Sequence, residues 1–168
     1  MNFADVKAIT IPEGAVKKIT AAGKVIWKRI TAPAYTNILP LAVDASGNSY
    51  NGGLGYKVGW RLNSSKAEVQ HASYCCTGFI PITGDGTIRI KGATKSTPGG
   101  GYLYFFKADR TTGVGSIYES ALYNTEVNGV LTFKPTDLSA SGIDAVYMRI
   151  STGAIDGNTI ITLNEEIT

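Results

Sequence analysis

Between Tyr56 and Lys91 the chain reads YKVGWRLNSSKAEVQHASYCCTGFIPITGDGTIRIK, and at its start Tyr56, Val58, Trp60 and Leu62 alternate with Lys57, Gly59, Arg61 and Asn63. A period of two marks a strand with one apolar face, because successive side chains leave a pleated backbone on opposite sides. The polar turn Asn63-Ser64-Ser65-Lys66 ends that run. A second strand-like run leads to Thr77-Gly78-Phe79-Ile80-Pro81-Ile82, and Gly84-Asp85-Gly86 turns the chain into Thr87-Ile88-Arg89-Ile90-Lys91. Three strands and two turns in so short a stretch make an all-β core.

The same punctuation continues on both sides. Ile38 to Val43 opens the main body as the first of its strands, followed by the turn Asp44-Ala45-Ser46-Gly47-Asn48 and the glycine-rich passage Asn51 to Gly55. After the loop Ser96 to Gly101, the run Tyr102-Leu103-Tyr104-Phe105-Phe106 is bulky on both faces, which places it inside a sheet or beneath a partner. Asp109 to Gly115 is a polar turn, and Ser116 to Tyr123 fits either a strand or one short helix. Gly129 to Lys134 and Ala145 to Ile150 read as strands, with a loop and one helical turn between them at Pro135 to Gly142. Asp156-Gly157-Asn158 leads into a last strand, Thr159 to Leu163. The 20 glycines and nine tyrosines, against two methionines, favour strands and tight turns over helices. Eight or nine short strands without a long amphipathic helix predict two packed antiparallel sheets in a jelly-roll-like β-sandwich.

The N-terminal part differs. Residues 4–30 read as a small β-meander: Val6 to Ile11, a turn at Pro12-Glu13-Gly14, Ala15 to Thr20, a turn at Ala21 to Lys24, then Val25-Ile26-Trp27. Two or three short strands are marginal alone, so the meander must pack on the main body, a copy of itself or a partner. Residues 1–34 carry Lys7, Lys17, Lys18, Lys24, Lys28 and Arg29 against Asp5 and Glu13, a net of +4, leaving −1 for the rest of a chain whose total is +3. Such lysines also keep edge strands from aggregating. The aperiodic, proline-containing Thr31 to Thr36 is the expected boundary. The predicted organisation is a meander over 1–31, a linker over 32–36 and a sandwich over 37–168.

Few residues point to chemistry. The single His71 is a poor basis for a metal site or a Ser/His/Asp triad. Asp44 to Asn48 lacks the further acids and closing Glu of a calcium loop. The glycine clusters at 52–55 and 99–101 have no Gly-Lys-Ser/Thr ending and no dinucleotide fingerprint. Glu119, Glu126, Asp137 and Asp144 stand in loop-like contexts, where a hydrolytic carboxylate pair would have to come from distant strands. The chain is therefore read as non-enzymatic, without a metal or cofactor. A net charge of +3 is too small to call for nucleic acid. No window approaches a membrane span and no signal-peptide pattern opens the chain. Adjacent Cys75 and Cys76 would face opposite sides of a strand, so they are expected reduced, as in a protein made in the cytosol.

What stands out is the mixture of aromatic and arginine residues on predicted strands: Trp60, Arg61, Arg89, Tyr102, Tyr104, Tyr147 and Arg149. Arg61, Arg89 and Arg149 each sit between two apolar residues, which predicts an outward-facing guanidinium beside inward-facing neighbours. Aromatic faces stack on sugars while arginine holds hydroxyls or acidic groups. The same residue types form subunit interfaces, and as core residues they would leave only their polar tips at the edge. The three readings stay open at this point.

Ile11-Pro12-Glu13-Gly14-Ala15-Val16-Lys17-Lys18-Ile19-Thr20, with Gly23-Lys24-Val25-Ile26-Trp27, resembles a short N-terminal module of structural proteins from phages and prophages of Gram-positive gut bacteria. The body resembles β-sandwich domains of phage tail, baseplate and receptor-binding proteins through Asn37-Ile38-Leu39-Pro40, Gly55-Tyr56-Lys57, Arg61-Leu62, Thr77-Gly78-Phe79-Ile80-Pro81 and Tyr147-Met148-Arg149-Ile150-Ser151. The resemblance implies a virion protein assembled in the bacterial host cytoplasm, a homotrimer or a partner of other tail proteins, with the meander as its attachment module and a cell-surface carbohydrate as a ligand of the sandwich. Coiled-coil heptads and β-helix repeats, which would build a long fibre shaft, are absent from the sequence. A free-standing bacterial carbohydrate-binding module is the alternative expectation.

Overall fold

The computed structural model describes residues 18–21, 24–28, 35–93, 102–118 and 126–167. The chain divides into two compact units, Met1–Pro33 and Ala34–Thr168. In the first, β1 (Lys18–Ala21) and β2 (Lys24–Lys28) pair antiparallel, with Lys18 opposite Lys28 and Ala21 opposite Lys24. The expected strand Val6 to Ile11 lies outside the described residues.

The second unit is an all-β sandwich of two antiparallel sheets. Its strands are β3 (Tyr56–Leu62), β4 (Glu68–Thr77), β5 (Ile80–Pro81), β6 (Ile88–Lys91), β7 (Tyr102–Phe106), β8 (Gly113–Tyr118), β9 (Glu126–Val127), β10 (Val130–Phe133), β11 (Tyr147–Thr152) and β12 (Ile160–Leu163). The smaller sheet runs β12-β6-β10-β9, and the larger runs β3-β4-β11-β7-β8 with β5 paired to β11. Strand alternation builds the core between them. Ile88, Ile90, Leu131, Phe133 and Ile161 from one sheet meet Ile80, Leu103, Phe105, Met148 and Ile150 from the other. Each such side chain stabilises the fold by about 1.5–3 kcal/mol when fully buried.

The larger sheet is also apolar on its outer side, where Leu62, Cys76, Phe79, Tyr104 and Phe106 form a second cluster. What covers it is a bent hairpin. Tyr56, Lys57 and Val58 face Thr77, Cys76 and Cys75, but Trp60, Arg61 and Leu62 face Gln70, Val69 and Glu68. Gly59 alone therefore spans His71 to Tyr74. Extra residues on one strand of a pair force that strand to bend, and Gly59 takes up the bend at φ +78°. Beyond it the hairpin lies over the outer face. Leu62 N–H donates to Ser151 Oγ at 3.1 Å, and the Tyr104 hydroxyl donates to the Asn63 carbonyl at 3.4 Å. Lys66 Nζ stands 5.4 Å from the centre of the Phe106 ring.

Several expectations need correction. Ile38 to Val43 is not a strand: Leu39–Leu41 forms a 3-10 turn containing Pro40, whose missing N–H suits a helical start and not a ladder. Val43 makes only isolated bridges, to Ser49 and Phe79. β6 belongs to the smaller sheet, so the three strands of the Tyr56 to Lys91 stretch are divided between layers. Ser116 to Tyr118 is strand, and the remainder of that ambiguous segment, to Tyr123, lies outside the described residues. The loop after β10 holds α1 (Pro135–Leu138) and a 3-10 segment, Ala140–Asp144. β7 is an inner strand between β11 and β8, as its bulk on both faces requires. Cys75 enters the central core and Cys76 the outer cluster, and both are free thiols.

Candidate functional site

The chemistry-bearing residues gather on the outer face of the larger sheet, in two adjacent places. In the first, alternation along β11 turns Arg149 outward, and the folded-over hairpin then buries it, leaving 6 % of its side chain exposed. Its Nε donates to the Thr77 carbonyl at 2.9 Å and an Nη to Glu68 Oε1 at 2.6 Å, while the guanidinium lies 4.7 Å from the centre of the Phe79 ring. Glu68 also accepts from the Tyr50 hydroxyl and from Lys57 Nζ, each at 2.8 Å. Lys57 in turn stands over the Tyr50 and Trp60 rings.

Burial alone would raise the Glu68 pKa. Hydrogen bonds from Lys57 and Tyr50 and the charge of Arg149 outweigh it and hold the carboxylate below its usual range. Burial, then the neighbouring Cys76 and Glu68, push the Tyr50 hydroxyl upward, so it remains a donor. Burial likewise raises the Cys76 thiol, which lies 3.7 Å from the Tyr50 oxygen. A carboxylate this fully engaged is a fixed anchor, since a buried charge persists only when paired and hydrogen-bonded.

The second place lies beside the hairpin tip. An open groove of about 500 Å³ is lined by Arg61, Leu62, Asn63, Ser64, Tyr104 and Ser116. Its floor comes from Leu62 and Tyr104, both buried, and its rim from exposed Arg61, Ser64 and Ser116. The turn that carries Asn63 and Ser64 is held by its own hydrogen bonds: Asn63 N–H to the Ala67 carbonyl, Lys66 N–H to the Asn63 carbonyl, and Ala67 N–H to Asn63 Oδ1.

The structure thus separates residues that look alike in the sequence. Arg61 and Tyr104 meet in the groove. Trp60 and Tyr147 pack half-buried against the outer cluster, with Phe79 edge-on to Tyr147 and Arg110 over its ring. Arg149, expected on an open outward face, is buried under the hairpin. Arg89 is on the other sheet, where its guanidinium reaches the Glu165 carbonyl and the Glu166 carboxylate, so it joins neither place. Tyr102 lies on β7 opposite Ser151 and Tyr118. Sequence reasoning missed Glu68, Lys57, Tyr50, Asn63, Ser64 and Ser116. Lys57 and Glu68 are not cross-strand neighbours, because the offset at Gly59 separates them, so no pattern of residue spacing signals their pairing.

The loop acids are turn-formers. The Asn48 N–H and then the Asn48 side chain and Ser46 N–H lower the Asp44 pKa against a smaller burial effect, and the Thr112 hydroxyl, with the Thr112 and Thr111 N–H groups, lowers that of Asp109. Among the described residues no group of three or more His, Cys, Asp or Glu is placed to hold a metal ion, and no helix is long and apolar enough to cross a membrane. Set against protein-family models, curated proteins and solved structures, the chain matches none.

Proposed function

We propose that this chain is a non-enzymatic recognition and assembly protein of a phage or prophage tail, whose sandwich binds a host-surface glycan through the outer groove. The observation that carries this reading is the pairing of a sealed ionic centre with an adjacent open groove. The half-buried Glu68 and the buried Arg149 are consumed by structural contacts, while Arg61, Ser64 and Ser116 stand on an accessible rim above an aromatic floor. Rigid polar groups arranged above a partly apolar floor suit sugar binding, where hydroxyls take hydrogen bonds and ring faces take apolar contact. The sequence resemblance to tail proteins supports the virion setting. The separate basic N-terminal unit supports attachment to a partner or to further copies.

Two measurements on the purified full chain test the reading. Retention on cell walls and wall polysaccharides of Gram-positive gut bacteria is expected, and elution from every wall preparation would remove the glycan role. Light scattering over a range of concentrations is expected to give a stable oligomer, a trimer by the resemblance. A strict monomer that still binds glycan would instead favour the free-standing carbohydrate-binding module.

A further inference from the structure

We infer that the groove beside the hairpin tip selects an anionic saccharide, one bearing a carboxylate or a phosphodiester, and that Arg61 is the residue that makes the selection; this rests on the glycan-binding reading above. A groove of about 500 Å³ falls within the size range of ligand sites, about 300–1,000 Å³. Among the described residues that line it, Arg61 is the only charged one. Of the other cationic side chains described on this side, Lys57 and Arg149 pair with Glu68 and Lys107 with Asp144, while Lys66 stands over the Phe106 ring and Arg110 over the Tyr147 ring. The Arg61 side chain has no hydrogen bond, ion pair or ring contact with another described residue. An arginine that is neither paired nor covered keeps its whole fork of donors for a ligand.

The neighbouring groups have the same polarity. Asn63 Oδ1 is occupied by the Ala67 N–H at 3.0 Å, which orients the amide and leaves Nδ2 as the free end, with two protons to donate. The Ser64 and Ser116 hydroxyls complete a rim that can donate from several directions, and among the described residues no carboxylate lines it to repel an anion. Charge-assisted hydrogen bonds from an arginine fork to a carboxylate or phosphate are shorter and stronger than neutral ones. Because the turn is already fixed by its internal hydrogen bonds, little ordering opposes binding.

The test uses the full chain in calorimetric titrations with three probes of matched length: oligogalacturonate for carboxylates, a glycerol-phosphate oligomer for phosphodiesters, and a neutral cello-oligosaccharide. At least one acidic probe is expected to bind about tenfold or more tighter than the neutral one, the scale of one hydrogen bond to a charged group. Arg61→Ala is expected to erase that preference and Arg61→Lys to restore part of it, with the midpoint of urea unfolding unchanged in both. Lys134→Ala, at an exposed site away from the groove, serves as the control for general attraction of polyanions to a basic chain. A carboxylate preference or a phosphodiester preference each upholds the proposal and tells the source of the anion. Equal affinity for the neutral probe, an unchanged preference in Arg61→Ala, or the same loss in Lys134→Ala overturns the inference and leaves glycan binding standing. Failure of all three probes to bind overturns the inference, and together with elution from every wall preparation it removes the glycan reading as well.

Discussion

Arg149 and Arg61 belong to the same sheet of the sandwich, each between two apolar neighbours in sequence, and their surroundings are opposite. Arg149 is 5 % exposed and bonded to Glu68 and Thr77, whereas Arg61 is exposed on the rim of an open groove. The difference arises from the bend at Gly59, which carries Leu62 and Glu68 over the outer face while leaving Arg61 on the solvent side of the folded-over arm. Outward-facing charge on a strand therefore takes its role from what lies across it. Under the arm it holds the structure together, and beyond the arm it is free to meet a ligand.

The strongest way to break this contrast is to remove the anion from the sealed centre. Glu68→Ala leaves the Arg149 guanidinium buried with its Thr77 and Phe79 contacts but no counter-charge. Removing one partner of such a pair costs about 3–5 kcal/mol. Lys57 is different: about a third of its side chain is exposed, and an ion pair of that kind contributes about 0–1 kcal/mol. Urea unfolding of the two alanine variants measures both. Equal losses would mean that the arm is held by its apolar contacts, with the ion pair incidental.

Much of the sandwich was legible because its signals are local. The alternations in β3 and β6, the bulk of β7 and the opposed Cys75 and Cys76 each depend on a few consecutive residues and the two-residue period of a strand. Pro40 was visible too, but the apolar residues around it looked like a strand until their tertiary contacts placed them in a 3-10 turn. The candidate site was only half legible. Arg61 and Tyr104 could be named, but Glu68 joins Arg149 across 81 positions of chain, and that contact depends on a register offset inside one hairpin. In the alternating pattern Gly59 is one more small residue, whereas its positive φ makes it the hinge of the arrangement. Binary patterning carries the faces of a strand and does not carry the length mismatch between two strands.

The hinge offers a finer perturbation. At φ +78° a side chain is strained even though nothing lies within 4 Å of a Cβ built there. Gly59→Ala is therefore expected to lose about 1–3 kcal/mol through backbone strain alone. Because the bend positions the arm, amide exchange should quicken at Leu62, whose N–H is held by Ser151 Oγ, more than at Ile161 in the smaller sheet. Uniform acceleration across both sheets would show that Gly59 matters to the domain as a whole and has no special part in seating the arm.

Acid provides the smallest perturbation, because protonating Glu68 removes its charge but leaves the carboxyl in place. Against burial, which would raise it, the folded-state pKa is depressed below the ordinary value of a free glutamate by the Lys57 and Tyr50 hydrogen bonds and the Arg149 charge. Stability from this group is therefore fully present above that value and is lost as pH falls through the folded pKa, where the unfolded chain already carries the proton. Glu68→Gln mimics the protonated state at every pH. The difference in unfolding free energy between the parent chain and Glu68→Gln should be constant near neutrality and shrink across the interval below about pH 5. A difference that stays level through that interval would mean that the carboxylate is not charge-stabilised, and the Arg149 centre would then owe its order to the Thr77 and Phe79 contacts instead.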